Sequence, residues 1–196
     1  MHNSVILASS SIYKRRLMAQ LGLEFTCQTP NIDESPLNHE LPEAMVRRLS
    51  IEKAATVAKK FPGALVIGAD QVGELDNKIL TKPGSFSRAH AQLSTQSGRT
   101  VKFHSGIAIA LKLEDQQLIT TSSVNTTEVV FRKLSASSIK NYLLTEKPYD
   151  CAGSFKVEGL GISLFTAVNS SDPSALTGLP LIELCTLLSE MGVEIN

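Results

Sequence analysis

An uninterrupted apolar run at residues 64–67 constrains the fold of this chain more than any other segment. Successive apolar positions fit a strand whose two faces are both covered, whereas a half-exposed strand alternates apolar and polar side chains. Gly68 and Ala69 follow the run, and we expect Asp70 to lie just past the end of the strand. Open α/β sheets usually bind their ligands at that place. The run therefore predicts an α/β fold with a functional carboxylate at Asp70.

A short hairpin is predicted after Asp70. Asp76 and Asn77 tolerate left-handed backbone dihedrals, and strand-like residues flank them on both sides. Such a hairpin could bring the cation of Lys82 back towards Asp70. The segment is also typical of a strand end at which the acid caps the backbone and the lysine is solvated, so a function does not follow from this segment alone.

The composition indicates a globular protein whose net charge is too small to create a strong overall electrostatic field. The 196 residues are 42% hydrophobic, and 19 basic side chains cancel 19 acidic ones. We therefore expect one domain over residues 1–196 and neither nucleic acid nor a membrane as a partner, so that any anion site must be local. Cys27, Cys151 and Cys185 are widely spaced, and the sequence has neither a span-length apolar run nor a signal-like N-terminus. These features predict reduced thiols and a cytoplasmic location.

The N-terminal segment has the pattern of an anion site at the start of a helix. Serines at positions 9–11 offer N-caps, and Tyr13, Lys14 and Arg15 fall in the first turn or so of the predicted helix. Free backbone N–H groups and the helix dipole favour negative charge at such a terminus. Serine caps followed by basic residues are also common on solvated helix faces.

Charged residues follow in a polar loop and a long helix. The loop at residues 29–41 carries Glu34, and the apolar period of residues 42–60 predicts a helix that carries Lys53 beside Glu52. Taken alone, the two neighbouring charges indicate a solvated pair.

A glycine-rich segment at residues 151–162 is the last informative stretch. Its glycines at 153, 159 and 161 imply turns or close approach of a ligand, and Glu158 lies among them. The spacing matches neither a P-loop nor a dinucleotide-binding fingerprint. Glu158 could equally be a solvated loop acid.

Taken together, these stretches resemble the Maf family of nucleoside triphosphate pyrophosphatases. They match the order and spacing of the family's motifs over almost the whole chain: LASSS at 7–11 with Lys14 and Arg15, GADQ at 68–71 with Lys82, AGSFKVEG at 152–159, and GLPL at 178–181. Two positions depart from the family pattern, since Ile12 stands where the family has proline and Lys14 where it has arginine. A lysine binds phosphate as a point charge, whereas the planar guanidinium of arginine can donate two parallel hydrogen bonds. Arg15 could therefore take over part of the phosphate contact.

The resemblance implies a fold and a reaction. The fold would be a mixed α/β structure of the Maf and ITPase-like type, with a mainly antiparallel sheet, flanking helices and two lobes around a cleft. The reaction would be metal-dependent cleavage of a nucleotide substrate to a monophosphate and diphosphate. A homodimer is often found in the family.

Within the family, three positions resemble the branch that hydrolyses 7-methyl-GTP. Tyr13 stands where the dTTP/UTP branch has arginine, Gln71 where it has threonine, and Glu158 where it has glutamine. A tyrosine face attracts the positive ring of 7-methylguanine, and a carboxylate can accept hydrogen bonds from the N1–H and 2-amino groups of that base. Uracil and thymine lack both the charge and the amine.

Our hypothesis for the reaction assigns roles at the reacting phosphates. Glu34 and Asp70 would hold Mg²⁺ or Mn²⁺, and Asp70 would also orient or deprotonate the attacking water. Lys53 and Lys82 would neutralise the leaving diphosphate. The phosphate chain would be held by Ser9, Lys14 and Arg15.

Two alternatives stay open at this point. The same chemistry could act on dTTP, UTP or a non-canonical purine nucleotide. The chain could also be a nucleotide-binding regulator of cell division that does not turn its ligand over. A purely structural α/β module would leave Lys14, Asp70, Lys82 and Glu158 coincidental.

Overall fold

The computed structural model describes residues 4–195, in which helices and strands alternate along the chain. The strands are β1 Val5–Ala8, β2 Phe25–Cys27, β3 Leu65–Leu75, β4 Lys78–Leu80, β5 Thr100–Lys112, β6 Leu118–Phe131 and β7 Phe165–Asn169. The α-helices are α1 Ile12–Ala19, α2 Pro42–Ala58, α3 Phe86–Gln96, α4 Ala136–Glu146 and α5 Leu181–Glu190. Short 3₁₀ turns lie at Ala152–Ser154, Leu160–Leu164 and Ala175–Thr177.

The strands form one mixed sheet in the order β2-β1-β3-β5-β6-β7, with β4 paired to β3. Strand β1 is parallel to both β2 and β3, whereas the β3–β4 and β6–β7 pairs are antiparallel. Serine caps start three of the helices, because Ser11, Ser85 and Ser135 accept the backbone N–H of the third residue after each cap. The predicted mixed α/β class is confirmed. No helix among residues 4–195 is long and apolar enough to cross a membrane.

The chain divides into two compact units. Unit 1 contains the described residues of 4–70, 105–125 and 172–195, and unit 2 contains residues 71–104 and 126–171. A division into two parts agrees with the two-lobed fold expected from the sequence. The single domain over residues 1–196 and the cleft stay predictions.

In unit 1, apolar side chains cover both faces of β3. Leu65 and Ile67 belong to a core cluster with residues of α1 and α5, and Val66 belongs to a second cluster with residues of α2. The alternation places successive side chains on opposite faces of the sheet. The prediction of a strand buried on both faces is therefore confirmed.

The predicted position of Asp70 past the strand end is wrong. Strand β3 does not end after Ile67 but continues to Leu75, so Asp70 lies inside it. Gly68 normally weakens a strand, yet here it is needed for close packing, because a Cβ at this position would lie 2.2 Å from the backbone oxygen of Ser50 on α2. The missing side chain lets α2 lie directly against the strand that carries Asp70.

Gly68→Ala should therefore lower the stability of the fold. The added methyl group meets backbone atoms of Ser50 and Ala54, which cannot swing aside as a flexible side chain could. We expect the free energy of unfolding to fall by about 2 kcal/mol, because α2 must shift. Denaturant unfolding measures this loss, and a variant as stable as the parent would contradict the close helix–strand packing.

Unit 2 has an aromatic core. The rings of Phe103, Phe131, Phe155 and Phe165 meet edge to face, with centroids 4.9–5.9 Å apart. Gly153, with a φ of 73°, lies against Phe103, where a Cβ would be 2.7 Å from the ring. Gly153, the first glycine of the glycine-rich segment, thus packs against the aromatic core of unit 2.

Candidate active site

A buried lysine joins two carboxylates in unit 1. Lys53 Nζ lies 2.6 Å from Asp70 Oδ1 and 2.8 Å from Glu34 Oε1. Lys53 is 7% exposed and Asp70 9%, whereas Glu34 is exposed. The neighbouring Glu52 pairs with Arg48 instead, at 3.3 Å. The alternative of a solvated Lys53–Glu52 pair is therefore wrong. The structure brings together three of the four residues expected to hold the metal and to neutralise the leaving diphosphate.

The Lys53 ammonium stays charged in this setting. Burial alone would lower the pKa of Lys53, but the charges and hydrogen bonds of Asp70 and Glu34 outweigh burial and raise that pKa above its usual value of 10.5. A raised lysine pKa means that the folded state holds its proton more tightly than the unfolded chain. The resulting stabilisation is present at neutral pH and is lost only as the pH rises through the raised value.

The loop that carries Glu34 is tied to α2 by an ion pair that the sequence did not reveal. Arg48 donates to both oxygens of Glu40, at 2.6 and 2.7 Å, and to the carbonyl oxygen of Ser35 at 3.2 Å. The hydrogen bond from Arg48 lowers the pKa of Glu40. Because Arg48 and Lys53 lie on the same helix, α2 orients both the loop and the ammonium.

The serine-rich segment and the start of α1 follow the C-terminal end of β1, beside the part of β3 that carries Asp70. In the parallel register of β1 and β3, Ala8 is opposite Gly68, so Ser9 leaves β1 close to Asp70. Ser9 Oγ accepts the backbone N–H of Ser11, at 3.1 Å. Lys14 Nζ donates to the carbonyl oxygen of Ala69 at 2.8 Å. Two ammonium groups thus approach consecutive residues of β3.

The other predicted residues of α1 differ in exposure. Tyr13 is half-buried, and Arg15 is exposed on the first turns of the helix. Lys14, in contrast, reaches β3 through the hydrogen bond of its Nζ to the carbonyl oxygen of Ala69.

Three predicted residues belong to unit 2. Gln71 follows Asp70 on β3 and is half-buried, and Lys82 is exposed just after β4. Glu158 is exposed on a turn between two 3₁₀ segments. A common site for these residues and the Lys53 cluster stays a prediction.

The donor set at Lys53 suits a hard divalent cation. Glu34 and Asp70 direct carboxylate oxygens at one cationic group, the Lys53 ammonium. Within residues 4–195, no cluster of three or more His, Cys, Asp and Glu side chains could hold a metal ion on its own. Mg²⁺ commonly binds through one or two carboxylates and completes its shell with water and substrate phosphates. Glu34 and Asp70 therefore fit the predicted metal.

The chain is similar to known proteins over nearly its whole length. Residues 4–191 match the family model described as Maf-like protein. A protein of Xanthomonas oryzae pv. oryzae named 7-methyl-GTP pyrophosphatase is 50% identical over 97% of this chain and 98% of its own length. Proteins of the same name from Polaromonas sp. and Colwellia psychrerythraea are 45% and 42% identical, covering 97% and 98% of this chain and 86% and 94% of their own lengths.

Solved structures support the fold alone. A HAM1 protein from Coxiella burnetii superposes with a TM-score of 0.52 at 17% identity, covering 96% of this chain and 99% of its own. The Ham1 protein of Staphylococcus aureus gives a TM-score of 0.50 at 14% identity, with 97% and 100% covered.

Proposed function

The chain belongs to the Maf-like protein family, and from this membership we infer that it is a hydrolase that converts 7-methyl-GTP to 7-methyl-GMP and diphosphate. The observation that carries this inference is the identity of 50% with a relative named 7-methyl-GTP pyrophosphatase, over nearly the full length of both chains. The cluster of Lys53, Asp70 and Glu34 supports it, because a buried ammonium between carboxylates is suited to phosphate chemistry. A role in clearing modified nucleotides follows from this reaction.

Asp70 acts on the attacking water in this proposal. Its carboxylate orients the water towards the α-phosphorus and accepts the proton. Lys53 holds Asp70 in place and, together with Lys82, neutralises the charge that builds up on the leaving diphosphate. Ser9, Lys14 and Arg15 hold the phosphate chain at the start of α1.

Glu34 and Asp70 would hold Mg²⁺ or Mn²⁺. When bound, such an ion neutralises phosphate oxygens and makes the α-phosphorus a better electrophile. The anchored loop supports this role for Glu34, because the bonds of Arg48 to Glu40 and Ser35 limit the positions that Glu34 can take.

Base recognition falls to Tyr13, Gln71 and Glu158. The face of Tyr13 attracts the cationic ring of 7-methylguanine, and Glu158 accepts hydrogen bonds from its N1–H and 2-amino groups. Uracil and thymine present the carbonyl oxygen O2 where guanine has its 2-amino group, so one oxygen of the carboxylate would face an acceptor and lack a donor.

A substrate panel tests the function. Diphosphate release is measured with 7-methyl-GTP, GTP, UTP and dTTP under the same conditions, with Mg²⁺ or Mn²⁺ present. We expect the highest kcat/KM for 7-methyl-GTP. A preference for UTP or dTTP would favour the pyrimidine alternative. Thermal stabilisation by nucleotides without diphosphate release would favour the non-catalytic regulator.

Glu158→Gln should change the choice of base more than the turnover. The neutral amide loses the attraction to the methylated ring and presents one acceptor fewer. We expect the ratio of kcat/KM for 7-methyl-GTP over UTP to fall about tenfold or more. Asp150→Asn is the matched control, because it removes an exposed charge from the same unit. An unchanged ratio in Glu158→Gln would contradict the assignment.

A cytoplasmic location and a homodimer are also proposed. Cys27, Cys151 and Cys185 are all free thiols, which suits a reducing compartment. The homodimer rests on the family resemblance, and sedimentation of the purified chain tests it.

A further inference from the structure

The turn that carries Glu158 is closed by its own backbone. Gly159 N and Gly161 N both donate to the carbonyl oxygen of Lys156, at 3.3 and 3.0 Å. A Cβ at Gly161 would lie 2.2 Å from that same oxygen, so the turn closes only around a glycine. Glu158 lies at the outer side of this turn and is exposed. The direction of its carboxylate therefore depends on what holds the turn to the rest of unit 2.

The last residue of α4 holds the far side of the turn. Glu146 Oε1 accepts the backbone N–H of Leu160 at 2.8 Å. Gly159 lies against the same carboxylate, because a Cβ there would be 2.6 Å from Oε1 and 2.9 Å from Oε2. The two residues that follow Glu158 thus contact one side chain.

The near side of the turn is held by the same helix. The backbone N–H of Lys156 donates to the hydroxyl of buried Tyr142 at 3.0 Å, and Lys156 Nζ donates to the carbonyl oxygen of Glu146 at 3.1 Å. Burial is the main cause that raises the pKa of Tyr142, and the nearby charges of Glu146 and Glu158 raise it further. Helix α4 therefore supports the turn on both sides of Glu158.

We propose that Glu146 is a positioning residue for base selection, which holds the turn so that Glu158 presents its carboxylate to the purine base. This inference rests on the proposed function, since it assumes that Glu158 contacts the base. Glu146 acts through its acceptor oxygen and through its close fit to Gly159. Its negative charge is not what the turn requires, because a backbone N–H needs only an acceptor.

Two substitutions separate the acceptor from the charge. Glu146→Gln keeps an oxygen that can accept the Leu160 N–H and removes the charge. Glu146→Ala removes both. We expect the ratio of kcat/KM for 7-methyl-GTP over UTP, the same ratio that reports on Glu158→Gln, to fall about tenfold in Glu146→Ala, mainly through KM for 7-methyl-GTP. In Glu146→Gln we expect a change of no more than about twofold, since the hydrogen bond is kept.

A double-mutant cycle shows whether Glu146 works through Glu158. In a Glu158→Gln background, Glu146→Ala should cause little further loss of selectivity, because the group that it positions has already been changed. Additive losses would overturn the proposal. Gly159→Ala perturbs the same contact from the other side, since its methyl group displaces the carboxylate, and should reproduce the loss even if Glu146→Ala folds poorly.

The controls keep the two proposals distinguishable. Thr145→Ala changes the neighbouring residue of α4, whose hydroxyl donates to the carbonyl oxygen of Asn141 within the same helix, and should leave selectivity unchanged. If the unmodified chain releases no diphosphate from 7-methyl-GTP, the proposed function fails. If it does, and Glu158→Gln alters selectivity while Glu146→Ala and Gly159→Ala do not, then only the positioning role of Glu146 fails.

Discussion

Asp70→Asn should reduce kcat for diphosphate release by about a thousandfold. The amide keeps the shape of the side chain but cannot accept a proton from water at neutral pH, and it binds a divalent cation more weakly than a carboxylate does. The fold should persist, because the amide oxygen of the substituted side chain can still accept the hydrogen bond that Lys53 Nζ now gives to Asp70 Oδ1. Rapid-mix or discontinuous assays of diphosphate measure the loss.

A second acid of the same hairpin is the control for this result. Asp76 is exposed and has a φ of 55°, a conformation that asparagine tolerates well, so Asp76→Asn should retain full activity. Nucleotide binding by the Asp70→Asn variant is measured by thermal shift with 7-methyl-GTP, which the variant should still bind. Ordinary turnover in Asp70→Asn would refute the role of Asp70 in the chemistry.

The secondary structure of this chain could be predicted because its local signals agree with one another. Serines at positions 9–11 were expected to offer an N-cap, and Ser11 caps α1. Asp76 and Asn77 were expected in a turn, and both have positive φ between β3 and β4. These features depend on a few neighbouring residues, which the sequence displays directly.

The extent of β3 could not be predicted in the same way. A glycine followed by an acid is typical of a strand end, so Gly68 and Asp70 favoured a break after Ile67. The strand continues because Gly68 is needed for the approach of α2 and because Lys53 neutralises Asp70. Both reasons are contacts between distant parts of the chain.

The candidate site also combines residues that the sequence could indicate with contacts that it could not. Lys53, Asp70 and Glu34 could be chosen individually in a hypothesis for the reaction, but no spacing rule indicated that one ammonium contacts both carboxylates. The hydrogen bonds from the Leu160 N–H to Glu146 and from Arg48 to Glu40 were missed as well. Each of these acids contacts an irregular segment or a loop, for which neither helical nor strand periodicity gives a signal.

Lys53→Met should lower both the free energy of unfolding and kcat. Methionine matches the length of the lysine stem but leaves Asp70, which is 9% exposed, without the ammonium that neutralises it. We expect the free energy of unfolding to fall by about 3 kcal/mol, because removing one partner of a buried pair leaves a charge uncompensated. We expect kcat to fall about a hundredfold, since a preorganised cation is lost from the leaving diphosphate.

The pH dependence of that stability loss identifies its cause. Because the pKa of Lys53 is raised above 10.5, the parent keeps the ion pair from pH 7 to pH 9, and the difference in unfolding free energy between parent and Lys53→Met should be constant over this range. The double variant Lys53→Met/Asp70→Asn should regain stability without regaining activity, because it removes the unpaired charge and the catalytic groups together. Lys60→Met, at an exposed position just beyond α2, should change neither quantity. A stable and active Lys53→Met variant would contradict the central place of this ammonium, both in the packing of α2 against β3 and in the proposed reaction.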